Sequence, residues 1–284
     1  MSGFVCFRSF ALATVFGCAL NALNAASVWK VTGPTGSTIY LGGSIHALEQ
    51  SDYPLPPAYN RALDASTRLI LEEDPKNGEA SFKALMRAGE YPKGDNLKNH
   101  VDPRTYAYLR RFFALLNVPE EKYSRLRPWL IETVLELPPP QFYQLGVEAF
   151  LLKRARATSK SIGGLESPKD HNEAFVGLSD RQSEELLLLF FINATHEGSR
   201  KSFLDAWRRG DVDFLAQQAH QEFSELPWMV DRVYLHRNRN WVPKIEEYLR
   251  TDARCFVLVG AGHLGGREGL VALLRGRGCK LEQL

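Results

Sequence analysis

The order of hydrophobic and polar positions predicts short strands towards both ends of the chain. Hydrophobic and polar residues alternate over 28–32, and a glycine- and proline-containing turn at 33–36 leads into a second such run at 37–41. This pattern is typical of a β-hairpin. The segment 67–71, which ends in three apolar residues, and the continuous apolar run at 255–259 are typical of strands that are buried on both faces. Further short strands are predicted at 161–166 and 279–282.

Between the early and the late strands, residues 79–159 are predicted to be mainly helical. We expect this segment to form a lid over the edge of the sheet rather than an independent domain. Its helices carry apolar stripes, and one of them, formed by Tyr108, Phe112, Leu115 and Leu116, should be buried against the rest of the protein. The three prolines at 138–140 would set the point at which the lid folds back.

These elements predict one α/β domain over 27–284, built on a mixed central sheet with flanking helices and a large helical insertion. The strand–helix–strand unit at 255–283 is expected to form a parallel crossover. Parallel strands connected by helices are covered on both faces, which accounts for the continuous apolar runs.

The first 26 residues resemble a secretory signal peptide. A single charge, Arg8, precedes an apolar run from Phe10 to Leu23, and small residues near Ala25 follow. The run is shorter than the roughly 20 residues that a membrane-spanning helix needs. We therefore expect an exported protein that is periplasmic or secreted. An uncleaved N-terminal anchor and a lipoprotein signal ending at Cys18 are the alternatives.

Composition and charge exclude several functional classes. The 284 residues are 44% hydrophobic and include 16 Phe, 10 Tyr and 5 Trp, which argues against a disordered chain. Lys and Arg number 35 against 33 Asp and Glu, giving a net charge of +2. Such a balance argues against nucleic acid as a partner, because nucleic-acid binding needs clustered positive charge. No stretch after residue 26 is apolar enough to form a stable membrane span.

Cys255 and Cys279 are the two cysteines that would remain after removal of the signal segment. Each lies at the start of a predicted strand, and neighbouring strands are about 5 Å apart. This spacing falls within the Cα separation of roughly 4.4–6.8 Å that a disulfide tolerates. An exported protein would meet an oxidising compartment, so we expect a disulfide between them. The alternative is two buried free thiols.

Candidate chemistry is concentrated where the predicted strands end. Two Gly-x-x-His elements, ending at His46 and His263, each follow a predicted strand directly. Glu72 and Glu166 end two further strands. In open α/β sheets, binding sites form at the carboxyl ends of the strands. Two imidazoles and two carboxylates suit a divalent metal ion, and they also suit acid–base chemistry without a metal.

The residues that carry these motifs resemble the TraB/PrgY/GumN family. The resemblance extends over nearly the whole chain after residue 26. It rests on 29–46, 69–74, 164–166, 256–266, Arg127-Pro128-Trp129, Gly146-Val147-Glu148 and the Arg237-Asn238 pair. The family includes the Tiki ectodomains, which are Wnt-directed metalloproteases. It is expected to share an α/β core with the erythromycin-esterase-like and ChaN-like proteins.

For the Tiki branch, the resemblance implies metal-dependent cleavage of peptides. It places His46, Glu72 and His263 at the site and makes Glu166 a further candidate. The run Glu72-Glu73-Asp74 leaves open which acid points inward. The leading hypothesis is therefore an exported metal-dependent hydrolase of the peptidase class that acts on a peptide or small-molecule substrate. His46, His263 and one carboxylate would bind Mn²⁺, Co²⁺ or Zn²⁺, and the second carboxylate would act as general base.

Arg237 and Asn238 complete the expected site. Arg237 would stabilise a developing oxyanion, and Asn238 would help to orient the reacting groups. The alternative hypothesis is an envelope binding protein without turnover, which would capture a peptide signal or a haem-like ligand.

Overall fold

The computed structural model describes residues 25–137, 144–193, 200–251 and 253–284. Most of the predicted signal segment and the three prolines at 138–140 lie outside the described residues. The six strands of the described sheet are β1 (Val28–Thr32), β2 (Thr38–Ser44), β3 (Arg68–Glu73), β4 (Ser161–Glu166), β5 (Cys255–Gly260) and β6 (Lys280–Gln283).

The sheet is mixed, with the strand order β4-β3-β5-β2-β1-β6. Strands β4, β3, β5 and β2 pair in parallel, whereas β1 is antiparallel to both β2 and β6. The carboxyl ends of four parallel strands therefore lie along one edge. This arrangement confirms the predicted fold class of a mixed sheet with flanking helices.

Helices connect the strands and cover the sheet. Several begin with proline in the first turn, where its missing amide hydrogen costs nothing. The described helices are α1 (Pro57–Asp64), α2 (Gly78–Ala88), α3 (Pro103–Leu115), α4 (Pro128–Glu136), α5 (Val147–Ala157), α6 (Pro168–Asn172), α7 (Asp180–Asn193), α8 (Arg200–Arg209), α9 (Val212–Gln221), α10 (Pro227–Val230), α11 (His236–Arg250) and α12 (Leu270–Gly276).

Each face of the sheet has its own apolar core. Successive residues of β5 show the division, since Phe256 packs with one cluster and Val257 with the other. Helices α1, α5 and α8 contribute buried residues to the first cluster, and α11 and α12 contribute to the second. Burial on both faces explains the continuous apolar sequence of the parallel strands.

Two further apolar clusters combine residues of the helical segment, from α3 and α4, with residues of α7, which follows it in the chain. Helix α5 packs instead against the sheet, through Val147 and Leu151. The expected burial of the α3 stripe is wrong in part. Tyr108, Leu115 and Leu116 are 48%, 83% and 53% exposed, and of the stripe only Phe112 packs against the cluster. The reason is that α3 turns Leu109 and Phe113, which are four residues apart, towards the core.

The predicted disulfide is also wrong. Cys255 and Cys279 are both buried free thiols. The strands that they precede or begin, β5 and β6, do run in the same direction. However, β2 and β1 lie between them in the sheet, so the two cysteines are not neighbours across a strand pair. The prediction failed because it assumed adjacent strands.

Within the described ranges, no helix combines the length and the apolar character that crossing a membrane requires.

Candidate functional site

Two pairs of strand ends bring the predicted site residues to one edge of the sheet. Ser44 at the end of β2 is in register with Gly260 at the end of β5. Glu73 of β3 is in register with Glu166 of β4. Because β3 also pairs with β5, the two pairs are adjacent. The Gly-x-x-His elements and the acidic strand ends therefore share one edge.

Arg237, near the start of α11, lies between the two carboxylates. Its Nη2 is 2.6 Å from Oε2 of Glu72 and 2.6 Å from Oε1 of Glu166. The guanidinium also lies over the ring of Trp241, at 4.7 Å from the centroid. Burial alone would raise the pKa of Glu72. Arg237, the two nearby imidazoles and the hydrogen bond from the Gly260 amide together outweigh burial and hold that pKa far below its usual range.

Glu166 is enclosed by hydrogen-bond donors, and its side chain is only 4% exposed. Besides Arg237, it accepts a hydrogen bond from Nε1 of Trp241 at 3.0 Å, and its Oε1 is 2.8 Å from Nδ1 of His171. Burial raises the pKa of Glu166, while the hydrogen bonds from His171 and Arg237 lower it, and the net shift is downward. Glu166 is therefore an ionised acceptor with its oxygens already engaged.

His263 is buried at the turn after β5, and Asn238 fixes its ring. Nδ1 of His263 lies 2.8 Å from Oδ1 of Asn238. The amide nitrogen of Asn238 donates to the carbonyls of His263 and Glu268 at 3.1 and 2.9 Å, so its oxygen must face the ring. Nδ1 is then the protonated nitrogen, and Nε2 carries the lone pair. Burial lowers the pKa of His263 to about 3, which keeps the ring neutral.

His46 has the same arrangement with a different partner. Its Nδ1 lies 2.7 Å from Oε1 of Glu148, and the hydroxyl of Ser44 donates to the same oxygen at 2.5 Å. The charge of Glu148 raises the pKa of His46. The side chain of His46 is 64% exposed, so its Nε2 is open to solvent.

Glycine at position 146 lets Glu148 reach His46. A Cβ at Gly146 would collide with the carbonyl of His46. The next residue, Val147, donates its amide hydrogen to the carbonyl of Ile45 at 3.1 Å. The start of α5 is thereby held against the end of β2, and Glu148 projects towards the imidazole.

Gly260 keeps open the space in which the candidate ligands meet. Its amide donates to Oε1 of Glu72 at 2.7 Å. A Cβ built on Gly260 would lie 3.4 Å from that oxygen, 3.6 Å from Cδ2 of His263 and 4.0 Å from Nε2 of His46. Nε2 of His263 is itself 3.8 Å from Oε1 of Glu72. Two imidazoles and a carboxylate thus lie around Gly260. Among the described residues, the carboxylate and imidazole atoms that all lie within 4.8 Å of one another belong to Glu72, Glu166 and His171 instead.

Comparison with known proteins identifies the family. The TraB/PrgY/gumN family matches residues 27–283, which is nearly the whole chain. The chain belongs to the TraB/PrgY/gumN family. The predicted resemblance is thereby confirmed.

Curated proteins give a second, shorter similarity. Over 87 residues, the chain is 37% identical to calretinin from Homo sapiens and from Rattus norvegicus, and 36% identical to calretinin from Gallus gallus. The match covers 30% of this chain and spans 30% of the length of those relatives. No solved structure gave a significant match.

The structure of this TraB/PrgY/gumN-family chain distinguishes the three acids at the end of β3. Glu72 points into the site, as described above. Glu73 accepts a hydrogen bond from Ser81 at 2.9 Å, and Asp74 caps the short turn that follows the strand. Alternation along a strand accounts for the difference between Glu72 and Glu73.

The site of this family member also includes residues that the sequence did not single out. Glu148 pairs with His46 and accepts a hydrogen bond from Ser44. His171 and Trp241 both contact the carboxylate of Glu166. Glu148 lies in one of the segments that carry the family resemblance, which is the only sequence signal for it. A cavity of about 730 Å³ is lined by Arg237, Glu166 and Trp241, among others. Its volume is within the range of ligand pockets.

Proposed function

We propose that this TraB/PrgY/gumN-family protein is an exported metal-dependent hydrolase that cleaves peptides. One observation carries the proposal. His46 and His263 each present Nε2 to the space beside Gly260, while an oxygen acceptor holds Nδ1. Metal-binding histidines in proteins have this arrangement, because the second hydrogen bond fixes the tautomer and the ring orientation.

The donor set fits a divalent ion of borderline hardness. His46, His263 and Oε1 of Glu72 would supply two nitrogens and one oxygen, which is a common ligand set of catalytic zinc and related metals. When bound, the metal would activate a water molecule and polarise the scissile carbonyl. The neutral state of His263 leaves a lone pair on Nε2. Nη1 of Arg237 lies 3.3 Å from this nitrogen, so a bound metal ion would replace that long hydrogen bond.

Arg237 is the chain's own source of positive charge at the site. Its guanidinium is buried and is held by Glu72 and Glu166 in a fixed position. A preorganised cation of this kind stabilises negative charge that develops on a substrate oxygen. We therefore retain for Arg237 the role of oxyanion stabilisation.

The hydrogen bonds of Glu166 and Asn238 support positioning roles. A carboxylate that already accepts from Arg237 and Trp241 is a weak general base, so we propose that Glu166 orients the guanidinium. The buried Asn238 is fully engaged with His263 and Glu268, so we propose that it orients the imidazole rather than the substrate.

Two parts of the proposal, export and the peptide substrate, do not rest on the geometry of the site. Export is proposed from the N-terminal segment, and N-terminal sequencing of the protein recovered from the producing cells would test it. The peptide class is proposed from the resemblance to the Tiki metalloproteases.

Metal content and peptide cleavage test the proposal together. The purified protein should retain about one Mn²⁺, Co²⁺ or Zn²⁺ per chain and should cleave members of a peptide library, and a chelator should abolish the cleavage. His46→Ala and His263→Ala should lose the metal while remaining folded. His236→Ala is the matched control, because this exposed histidine pairs with Asn240 rather than with any candidate ligand and should leave the metal in place.

Each negative outcome has a separate meaning. Unchanged metal content in both histidine variants would reject the ligand assignment. Metal retention without cleavage of any peptide would favour the binding protein without turnover.

A further inference from the structure

The two oxygens of Glu72 face different positions. Oε1 accepts a hydrogen bond from the amide of Gly260 and lies nearest to His263. Oε2 lies 2.6 Å from Nη2 of Arg237. A carboxylate that presents one oxygen to each of two cation positions is a bridging ligand.

The second position has a set of metal-binding groups of its own. Glu72, Glu166 and His171 each offer one potential ligand atom, and these atoms all lie within 4.8 Å of one another. Two carboxylates and an imidazole suit a divalent metal ion.

A nitrogen of Arg237 occupies this second position. Its Nη2 is 2.6 Å from Oε2 of Glu72, 2.6 Å from Oε1 of Glu166 and 3.3 Å from Nδ1 of His171. The rest of the guanidinium is held in place, because Nη1 donates to the carbonyl of Val233 at 3.1 Å and lies 3.3 Å from Nε2 of His263. Trp241 lies against the face of the guanidinium. The group is therefore built in as a fixed component of the cluster.

Charge balance distinguishes the two positions. Glu72 and Glu166 carry two negative charges, and Arg237 neutralises one of them. Oε1 of Glu72, which does not contact Nη2 of Arg237, carries negative charge next to the space between His46 and His263. The space beside Gly260 is therefore the position left for a metal ion, while the second position is already filled by the guanidinium.

We propose that Arg237 occupies the second cation position of a carboxylate-bridged centre, so that the chain binds one metal ion and uses a guanidinium in place of another. In two-metal hydrolases the two ions lie about 3.5–4 Å apart and stabilise the attacking and the leaving oxygens together. A guanidinium supplies the second positive charge permanently, since it does not deprotonate in proteins and cannot be lost to a chelator. This inference rests on the proposed metal-dependent function.

Removal of the guanidinium should therefore create a second metal site. Mn²⁺ alone is the probe, and the measurement is the number of equivalents retained per chain after gel filtration. We expect one equivalent in the wild type, two in Arg237→Met and one in Arg237→Lys, which keeps a cation at the position. The double variant Arg237→Met with Glu166→Gln should return to one equivalent, because it loses a ligand of the second position only. Arg237→Met with His263→Ala should also bind one equivalent, since it loses a ligand of the first position.

The outcomes separate this inference from the proposed function. One equivalent in both the wild type and Arg237→Met would overturn the inference and leave the metal centre intact. Two equivalents in the wild type would also overturn it. No metal in the wild type, with one equivalent in Arg237→Met that Glu166→Gln removes, would support the second position and reject the metal-dependent function.

A folding defect does not prevent the test. Loss of Arg237 leaves two carboxylates close together, so the variant without metal is expected to be less stable. If Arg237→Met is unfolded, Mn²⁺ should restore its far-ultraviolet circular dichroism, and the Glu166→Gln background should remove that rescue. Absence of rescue by Mn²⁺ would overturn the inference.

Discussion

Glu148 Oε1 lies 2.7 Å from Nδ1 of His46, although the two residues come from separate elements of the fold. The contact depends on α5 starting directly against the end of β2. The contact fixes the orientation of the exposed imidazole of His46 and leaves Nε2 as the nitrogen available to a ligand.

Replacing Glu148 tests this support directly. Glu148→Gln removes the charge that polarises His46 but keeps the size of the side chain. Loss of such a partner typically lowers metal affinity 10- to 100-fold, so the Kd for Mn²⁺ should rise by about that factor. Isothermal titration calorimetry would measure it.

The exposed Glu79 provides a matched control, because it pairs only with Lys83 among the described residues. Glu79→Gln should bind Mn²⁺ as the wild type does. A Kd for Glu148→Gln equal to that of Glu79→Gln would show that Glu148 does not support metal binding.

A second prediction concerns the space beside Gly260. Gly260→Ala would place a methyl group among Glu72, His263 and His46, so Mn²⁺ binding should be lost. The φ of −52° at this position is ordinary for an L-residue, so the backbone should accept alanine without strain. The free energy of unfolding should therefore stay within about 1 kcal/mol of the wild type, because Gly→Ala at a compatible site mainly restricts the unfolded chain.

Gly78→Ala is the corresponding control, since a Cβ there would meet no atom within 4 Å. It should keep both stability and metal. Full Mn²⁺ occupancy in folded Gly260→Ala would mean that the ion does not bind in this space.

The strand ends and their chemistry were predictable because the signals are local. An apolar run followed by Gly-x-x-His specifies both a strand and the position of its histidine. The pairing of Cys255 with Cys279 was not predictable in this way, because it depends on the sheet order that places β2 and β1 between β5 and β6. The role of Glu148 depends on how closely α5 approaches β2, and no local pattern encodes that distance.

A third prediction concerns the two cysteines. With Cys255 and Cys279 as buried free thiols, a reducing agent should leave the midpoint of thermal unfolding unchanged. Disulfide removal typically costs 2–5 kcal/mol in small secreted domains, so a bridge of ordinary strength would produce a clear decrease. Differential scanning calorimetry with and without reductant distinguishes the two cases.

A fourth prediction concerns Trp241, which is fully buried beneath Arg237. Trp241→Phe keeps an aromatic face but removes the hydrogen bond to Glu166. An acceptor deprived of a buried partner costs roughly 1–3 kcal/mol, so unfolding in urea should report a loss of that order. Trp228→Phe, at a half-buried position away from the sheet, should cost less. Equal losses in the two variants would remove the evidence for a specific contribution from the Glu166 hydrogen bond.

The last prediction is a pH-dependent contribution of His100 to stability. Nδ1 of His100 lies 2.7 Å from Asp180, and Nε2 lies 2.7 Å from Asp95. The imidazole ring stacks on the ring of Tyr91, with 4.0 Å between the centroids. The guanidinium of Arg127 lies over the same Tyr91 ring, at 4.6 Å from its centroid. Two carboxylate partners require both ring nitrogens to donate, which favours the charged imidazolium.

The pKa of His100 is accordingly raised in the folded state, because the two aspartates outweigh the effect of burial. Below the unfolded pKa of about 6.5, both states hold the proton and the contribution to stability is complete. As the pH rises above that value, the unfolded chain loses the proton first, and the contribution decreases until the folded pKa is passed. His100→Gln should therefore lower the midpoint of thermal unfolding by at least about 2–4 °C at pH 6, with a smaller effect at pH 9. The exposed His236→Gln should change stability equally little at both pH values, and an equal effect of His100→Gln at pH 6 and pH 9 would show that its contribution does not depend on the imidazolium.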